Sequence, residues 1–176
     1  MDSKSYKEYL KDIKAFIFDV DGVLTDSSVL VTSDGEMLRK MSTRDGFALK
    51  TAVESGFLVC IISGGKNEGV RKRLEGLGIK EISLGAHDKV VPLNELFEKY
   101  QLKAENVVYM GDDIPDIPPM KIVGLPTCPQ DAAPEVKAVS KYISHKNGGS
   151  GSARDIIEQV LKVQGHWMKG FDAQYD

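Results

Sequence analysis

Three short apolar runs, each ended by a polar residue, restrict the fold of this chain more than any other feature. AFIFDV (15–20), FLVCIIS (57–63) and VVYMGD (107–112) read as strands that are apolar on both faces. Such strands belong inside a parallel sheet covered by helices on both sides. ISLG (82–85) and IVGLPT (122–127) extend the set to five. Between them lie segments with helical spacing. RDGFALKTAVESG carries Phe47, Leu49, Ala52 and Val53; NEGVRKRLEGLG carries Val70, Leu74 and Leu77; KVVPLNELFEKYQL carries Val91, Leu93, Leu96, Phe97 and Tyr100; ARDIIEQVLKV follows near the end. Strand then helix at this interval predicts an α/β fold, a doubly wound (Rossmann-like) parallel sheet with right-handed crossovers.

One segment departs from that rhythm. SSVLVTSDGEMLRKMST (27–43) alternates loosely about Asp34-Gly35, a strong hairpin signal, and predicts a β-hairpin inserted after the first strand. The 176 residues suit one domain, placed at 1–165 and followed by a tail at 166–176. The tail has Trp167 and Phe171 but no periodicity, which leaves either an anchor on a neighbouring subunit or disorder. A net charge of −3 with both signs interspersed gives no reason to expect nucleic acid or an anionic membrane as partner. No apolar run approaches the roughly 18 residues of a membrane span, and the polar start is no signal peptide. Cys60 and Cys128 form neither a disulfide framework nor zinc-type spacing with the histidines, so a cytoplasmic location is expected. His87, His145 and His166 receive no role.

In an open parallel sheet, ligands bind beyond the carboxyl ends of the strands. Asp19 and Asp21 close the first strand, Ser63 the second and GDDIPD (111–116) the fourth, while Lys89 opens the helix after the third. Several carboxylates in one crevice repel unless a cation joins them, and oxygen ligands without His or Cys favour Mg²⁺. A carboxylate beside Mg²⁺, faced by a serine and a lysine, suits nucleophilic attack on a phosphoryl group. A second carboxylate two residues on is placed to protonate the leaving oxygen.

With these residues in view, the sequence resembles the haloacid-dehalogenase-like phosphatases. DVDGVLT is similar to their first motif, IISGG to the second, Lys89 to the third and GDDIPD to the fourth. The resemblance implies Asp19 as the nucleophile that becomes aspartyl-phosphate. It implies Asp21 as acid and then base, also a Mg²⁺ ligand through its carbonyl, with Ser63 bonded to the phosphoryl group and Lys89 neutralising charge. Asp112 is implied as the remaining metal ligand beside Asp19 and Asp21, with Asp113 and Asp116 supporting. The short intervals between motifs leave no room for a cap domain.

Within that superfamily, DVDGVLTD, GEMLRKMSTRDGFALK, GDDIPDIPPM and GGSGSARDII resemble the 3-deoxy-D-manno-octulosonate 8-phosphate phosphatases. These are homotetramers in which hairpins form a central barrel and neighbours serve as the cap. The resemblance implies hydrolysis of a phosphorylated sugar acid in cell-surface polysaccharide synthesis. It adds Ser42, Thr43, Arg44, Asp45, Gly46, Lys50, Gly64 and Arg73 to Asp21 and Lys89 at the substrate site. Arg44 and Asp45 read equally well as a surface pair at a helix start, where Asp suits the helix dipole. Two positions depart from the family pattern: Gly65 and Ser150 stand where it usually has arginines, with Lys66 or Arg154 as replacements. The 2-keto-3-deoxynononate 9-phosphate phosphatases, which also lack the first arginine, are the alternative. A phosphotransferase or mutase and a non-catalytic binding subunit remain as other classes.

Overall fold

The computed structural model describes residues 5–169. Six parallel strands form one sheet: β1 (Ala15–Phe18), β4 (Leu58–Ser63), β5 (Glu81–Leu84), β6 (Val107–Met110), β7 (Leu125–Cys128) and β8 (Tyr142–Ile143), in the spatial order β5-β4-β1-β6-β7-β8. The chain runs outward from β1 through β4 to β5, then returns to β6 on the other side of β1. The point where the direction reverses is therefore the gap between β1 and β6, where doubly wound sheets hold their ligands. Two-stranded pairing of β2 (Leu30–Val31) with β3 (Met37–Leu38) makes a separate antiparallel hairpin, Leu30 opposite Leu38. Its Gly35 adopts φ +87°, a value that the turn needs and that side chains resist. The expected hairpin insertion and parallel sheet are thus present, and no cap domain is inserted.

Alternation along each strand divides the core between two faces. Phe16, Phe18, Val59, Ile61, Val108 and Met110 face α1 (Thr43–Glu54), α2 (Glu68–Glu75) and α6 (Ser152–Val163). Ala15, Ile17, Cys60, Ile62, Val107 and Tyr109 face α3 (Val90–Tyr100), α4 (Ile117–Met120) and α5 (Pro134–Val139). Both phenylalanines of β1 are fully buried; truncating either to Ala would cost about 3–5 kcal/mol. The helix stripes are narrower than their periodicity implies. Phe47, Val91 and Tyr100 point outward, while Ala48, Leu49, Ala52, Leu93 and Leu96 are the buried members.

Helix starts follow capping chemistry. Ser42 accepts from the Asp45 amide at the start of α1, and Asn67 from the Val70 amide at the start of α2. The start of α6 is capped from elsewhere in the chain: buried Asp45 accepts from the amides of Gly151 (3.1 Å) and Arg154 (2.8 Å). Trp167, placed in the tail by the sequence, is partly buried against the core and meets Phe47 edge-on at 6.2 Å, with the Arg154 guanidinium over both rings. Phe171 and the rest of that tail lie outside the described residues. No helix among those described is long and apolar enough to cross a membrane.

Candidate active site

The turn after β1 is built to expose backbone and carboxylates at the sheet's carboxyl edge. The amides of Val23, Leu24 and Thr25 converge on the Val20 carbonyl, and the Gly22 amide donates to the buried Thr25 hydroxyl. Gly22 has φ +88°, and a Cβ there would overlap the Asp112 carboxylate. Gly148 and Gly149 press on the same turn so closely that any side chain would collide with the backbone of Gly22 and Thr25. The Gly149 amide and the Ser152 hydroxyl both donate to the Val23 carbonyl.

At the centre, the Lys89 ammonium lies 2.8 Å from Asp19 Oδ2 and 2.7 Å from Asp116 Oδ1, all three side chains buried. Asp116 is fully engaged. Its Oδ1 also accepts from the Tyr109 hydroxyl (2.9 Å), and its Oδ2 accepts from the amides of Asp112 (3.1 Å) and Asp113 (3.4 Å). It therefore ties the end of β6 to Lys89 and fixes where Asp112 points.

Burial, followed by the charge of Asp116, raises the Asp19 pKa to about 7 even though Lys89 opposes the shift. Asp112 is likewise raised to about 7, by burial and then by Asp19, Asp116 and Asp113. Burial works against the Lys89 charge, but Asp19 and Asp116 outweigh it and hold its pKa above the ordinary lysine value. Oxygens of Asp19, Asp112 and Asp116 lie within 4.8 Å of one another, and Asp112 Oδ1 is a buried oxygen with no hydrogen-bond partner. An orphaned oxygen among mutually repelling carboxylates fits a hard divalent cation.

Around this centre is an open cleft of about 450 Å³, lined by Asp19, Asp21, Ser63, Gly64, Lys89 and Asp112 among others. The expected nucleophile, acid–base carboxylate, serine, lysine and metal aspartates are thus brought together. Asp113 is an exposed lining residue, and His87, given no role by sequence, also lines the cleft. Ser63 is buried and its Oγ accepts from the Gly65 amide at 3.3 Å. Ser42, Thr43, Arg44, Asp45, Gly46, Lys50 and Arg73 do not line this cleft. Arg44 borders a separate hollow with Ser150 and Arg154, Arg73 packs over Gly46 beside β3, and Lys50 pairs with Glu54 on an exposed helix face. A hollow of about 530 Å³ at the opposite edge of the sheet, lined by Lys11, Lys103 and Gln164, gathers none of the motif residues.

The sequence reading missed Arg39. It reaches from the hairpin to Asp21, with Nε on one carboxylate oxygen and Nη2 on the other, each at 3.1 Å. Only three-dimensional closure of the hairpin brings it there, so no spacing signal announced it.

Residues 78–156 match the family described as haloacid dehalogenase-like hydrolase. The 3-deoxy-D-manno-octulosonate 8-phosphate phosphatase of Salmonella typhi is 37% identical over 155 residues, which cover 88% of this chain and 82% of the relative. The chain belongs to the haloacid dehalogenase-like hydrolases. Among solved structures, the Moraxella catarrhalis 3-deoxy-D-manno-octulosonate 8-phosphate phosphatase, in complex with magnesium, phosphate and the KDO sugar, is 33% identical. It superposes with a TM-score of 0.89 over 92% of this chain and 93% of that one. The corresponding Yersinia pestis structure is 32% identical, with a TM-score of 0.89 over 92% of this chain and 87% of that one.

Proposed function

We propose that this chain is a Mg²⁺-dependent phosphomonoesterase whose substrate is a phosphorylated 2-keto-3-deoxy sugar acid, with 3-deoxy-D-manno-octulosonate 8-phosphate the first candidate. The observation that carries the reading is the Asp19–Lys89–Asp116 array beside the unpartnered Asp112 oxygen, at the switch point of the sheet. Asp19 attacks phosphorus through a carboxylate oxygen. As that P–O bond forms, the bond from phosphorus to the sugar oxygen breaks, and a proton from Asp21 goes to the leaving oxygen. Water then attacks the aspartyl-phosphate, Asp21 takes its proton, and phosphate leaves. Ser63 holds a phosphoryl oxygen, and Lys89 balances charge. Mg²⁺ bound by Asp19, Asp112 and the Asp21 carbonyl would supply further charge neutralisation and orientation.

The curated relatives act, by name, on the eight-carbon acid, which supports it as the substrate here. Gly65 favours the nine-carbon homologue, 2-keto-3-deoxynononate 9-phosphate, as a second reading. Phosphate release from both acids, hexose phosphates and p-nitrophenyl phosphate, with Mg²⁺ and with EDTA, decides between them. Absence of metal-dependent release from every ester, or full activity in Asp19→Asn, would refute the proposal.

We also propose a homotetramer. Leu30 and Val31 are 67% and 64% exposed on a two-stranded hairpin, an arrangement with little stability of its own. Burying those side chains between subunits would remove that apolar surface from water, and by the family resemblance a neighbouring subunit would then serve as the cap of each cleft. A monomer by light scattering would remove that arrangement. The two cysteines are buried and free, which supports a reducing cytoplasm.

A further inference from the structure

The nucleophile's cleft is poor in positive charge. Asp19, Asp21, Asp112, Asp113 and Asp116 all line it, and its lysine, Lys89, is already held between two of them. A substrate with a carboxylate as well as a phosphate needs a second cation there. Neither replacement expected from the sequence provides it. The Lys66 side chain lies over Gly85, and Arg154 is paired with Glu158 at 3.3 Å and stacked on Phe47 and Trp167. Arg39 is differently placed. Its guanidinium sits in a small hollow that shares Asp21, Ser63 and Gly65 with the cleft, and its Nη2 lies 3.5 Å from where a Gly65 Cβ would be. The side chain is nearly enclosed, and its Nη1 donates to the Met37 carbonyl, which also accepts from Asn67. The cation is therefore anchored to a hairpin carbonyl, which the cap of helix α2 holds in turn.

We propose that Arg39 is the residue that recognises the substrate's carboxylate, and that Asp21 is its resting partner, displaced when substrate enters. A guanidinium fork takes any carboxylate in the same planar two-bond geometry. Exchanging the Asp21 carboxylate for the substrate's leaves both the charge and the number of hydrogen bonds on Arg39 unchanged. The exchange also frees both Asp21 oxygens, one of which takes a proton from solvent and then passes it to the leaving oxygen, so the acid is released by the group that marks the correct substrate. The inference rests on the phosphatase reading and adds to it the origin of selectivity for an acid.

The test compares kcat/KM for 3-deoxy-D-manno-octulosonate 8-phosphate with that for p-nitrophenyl phosphate, in the wild type, Arg39→Met and Arg39→Lys. Inhibition by the phosphate-free sugar acid is measured alongside. A bidentate charged contact is worth about 10- to 100-fold. In Arg39→Met the ratio of the two kcat/KM values should fall by that factor, and the sugar acid should inhibit correspondingly less. Arg39→Lys, with one point donor in place of a fork, should recover only part. Equal losses on both substrates, or an unchanged ratio, would overturn the assignment while leaving a wild-type enzyme that prefers the acid. A wild type that hydrolyses p-nitrophenyl phosphate but does not prefer the acid would overturn the substrate reading and this inference with it.

Discussion

Replacing Lys89 with Met tests the electrostatics of the site without altering its shape much. Lys89 is the cation shared by two buried carboxylates, Asp19 and Asp116. Removing one member of a buried ion pair costs about 3–5 kcal/mol, because the remaining charge stays desolvated. The cost should depend on pH in a stated direction. The folded pKa of Asp19, about 7, lies above its unfolded 3.8, so folding favours its protonated form. Keeping Asp19 ionised when folded costs about 4 kcal/mol by the size of that shift, a cost absent below pH 4 and complete above pH 7. Lys89 stays protonated throughout, since its pKa is raised. At pH 5.5 Asp19 is protonated and has no charge for Lys89 to compensate, whereas at pH 8 the wild type holds it ionised with that lysine's help and the variant does not. Urea unfolding in EDTA at both values should show a deficit relative to wild type that is larger at pH 8 by at least 1 kcal/mol. A deficit equal at both pH values, or larger at pH 5.5, would refute this account of the array.

Other substitutions probe the remaining parts. Metal-free Asp112→Asn should melt above wild type at pH 8 and level with it at pH 4, because the raised carboxylate is costly only when ionised; calorimetry in EDTA reads this, and Mg²⁺ should no longer raise the melting point. Gly22→Ala combines a φ of +88° with overlap on Asp112, so the Mg²⁺ concentration for half-maximal phosphate release should rise at least tenfold. Asp45→Ala leaves two amides of α6 without their acceptor and should cost about 1–2 kcal/mol by urea unfolding, with no change in Mg²⁺ requirement.

What the sequence shows and what it hides follow from distance along the chain. Asp19, Ser63 and Asp112 were legible because each ends an apolar run, and a parallel sheet sends all such ends to one edge. Lys89 was legible from its place at the start of a helix after a strand. Arg39 was not, since its partner lies 18 residues away across a hairpin whose closure has no periodic signature. Asp45 looked like a residue at the head of its own helix, yet its side chain caps another helix 106 residues later. Strand β8 has no signal in the sequence because two partly exposed residues at a sheet edge carry no hydrophobic pattern. Trp167 had no periodicity because a single ring, edge-on to Phe47, does the packing.

The contact of Gly148 and Gly149 with the turn after β1 has a consequence for biosynthesis. The loop that carries Asp19 leaves the ribosome early, but the segment that presses it into shape is made near the end. Translation at about 5–20 residues per second puts on the order of ten seconds between the two. Throughout that interval the nascent chain carries Asp19 in an unbraced loop. Competence for phosphoryl transfer thus arrives late and at once, when the last helix docks, and a chain released before Gly148 would carry every motif residue without the turn that aims them.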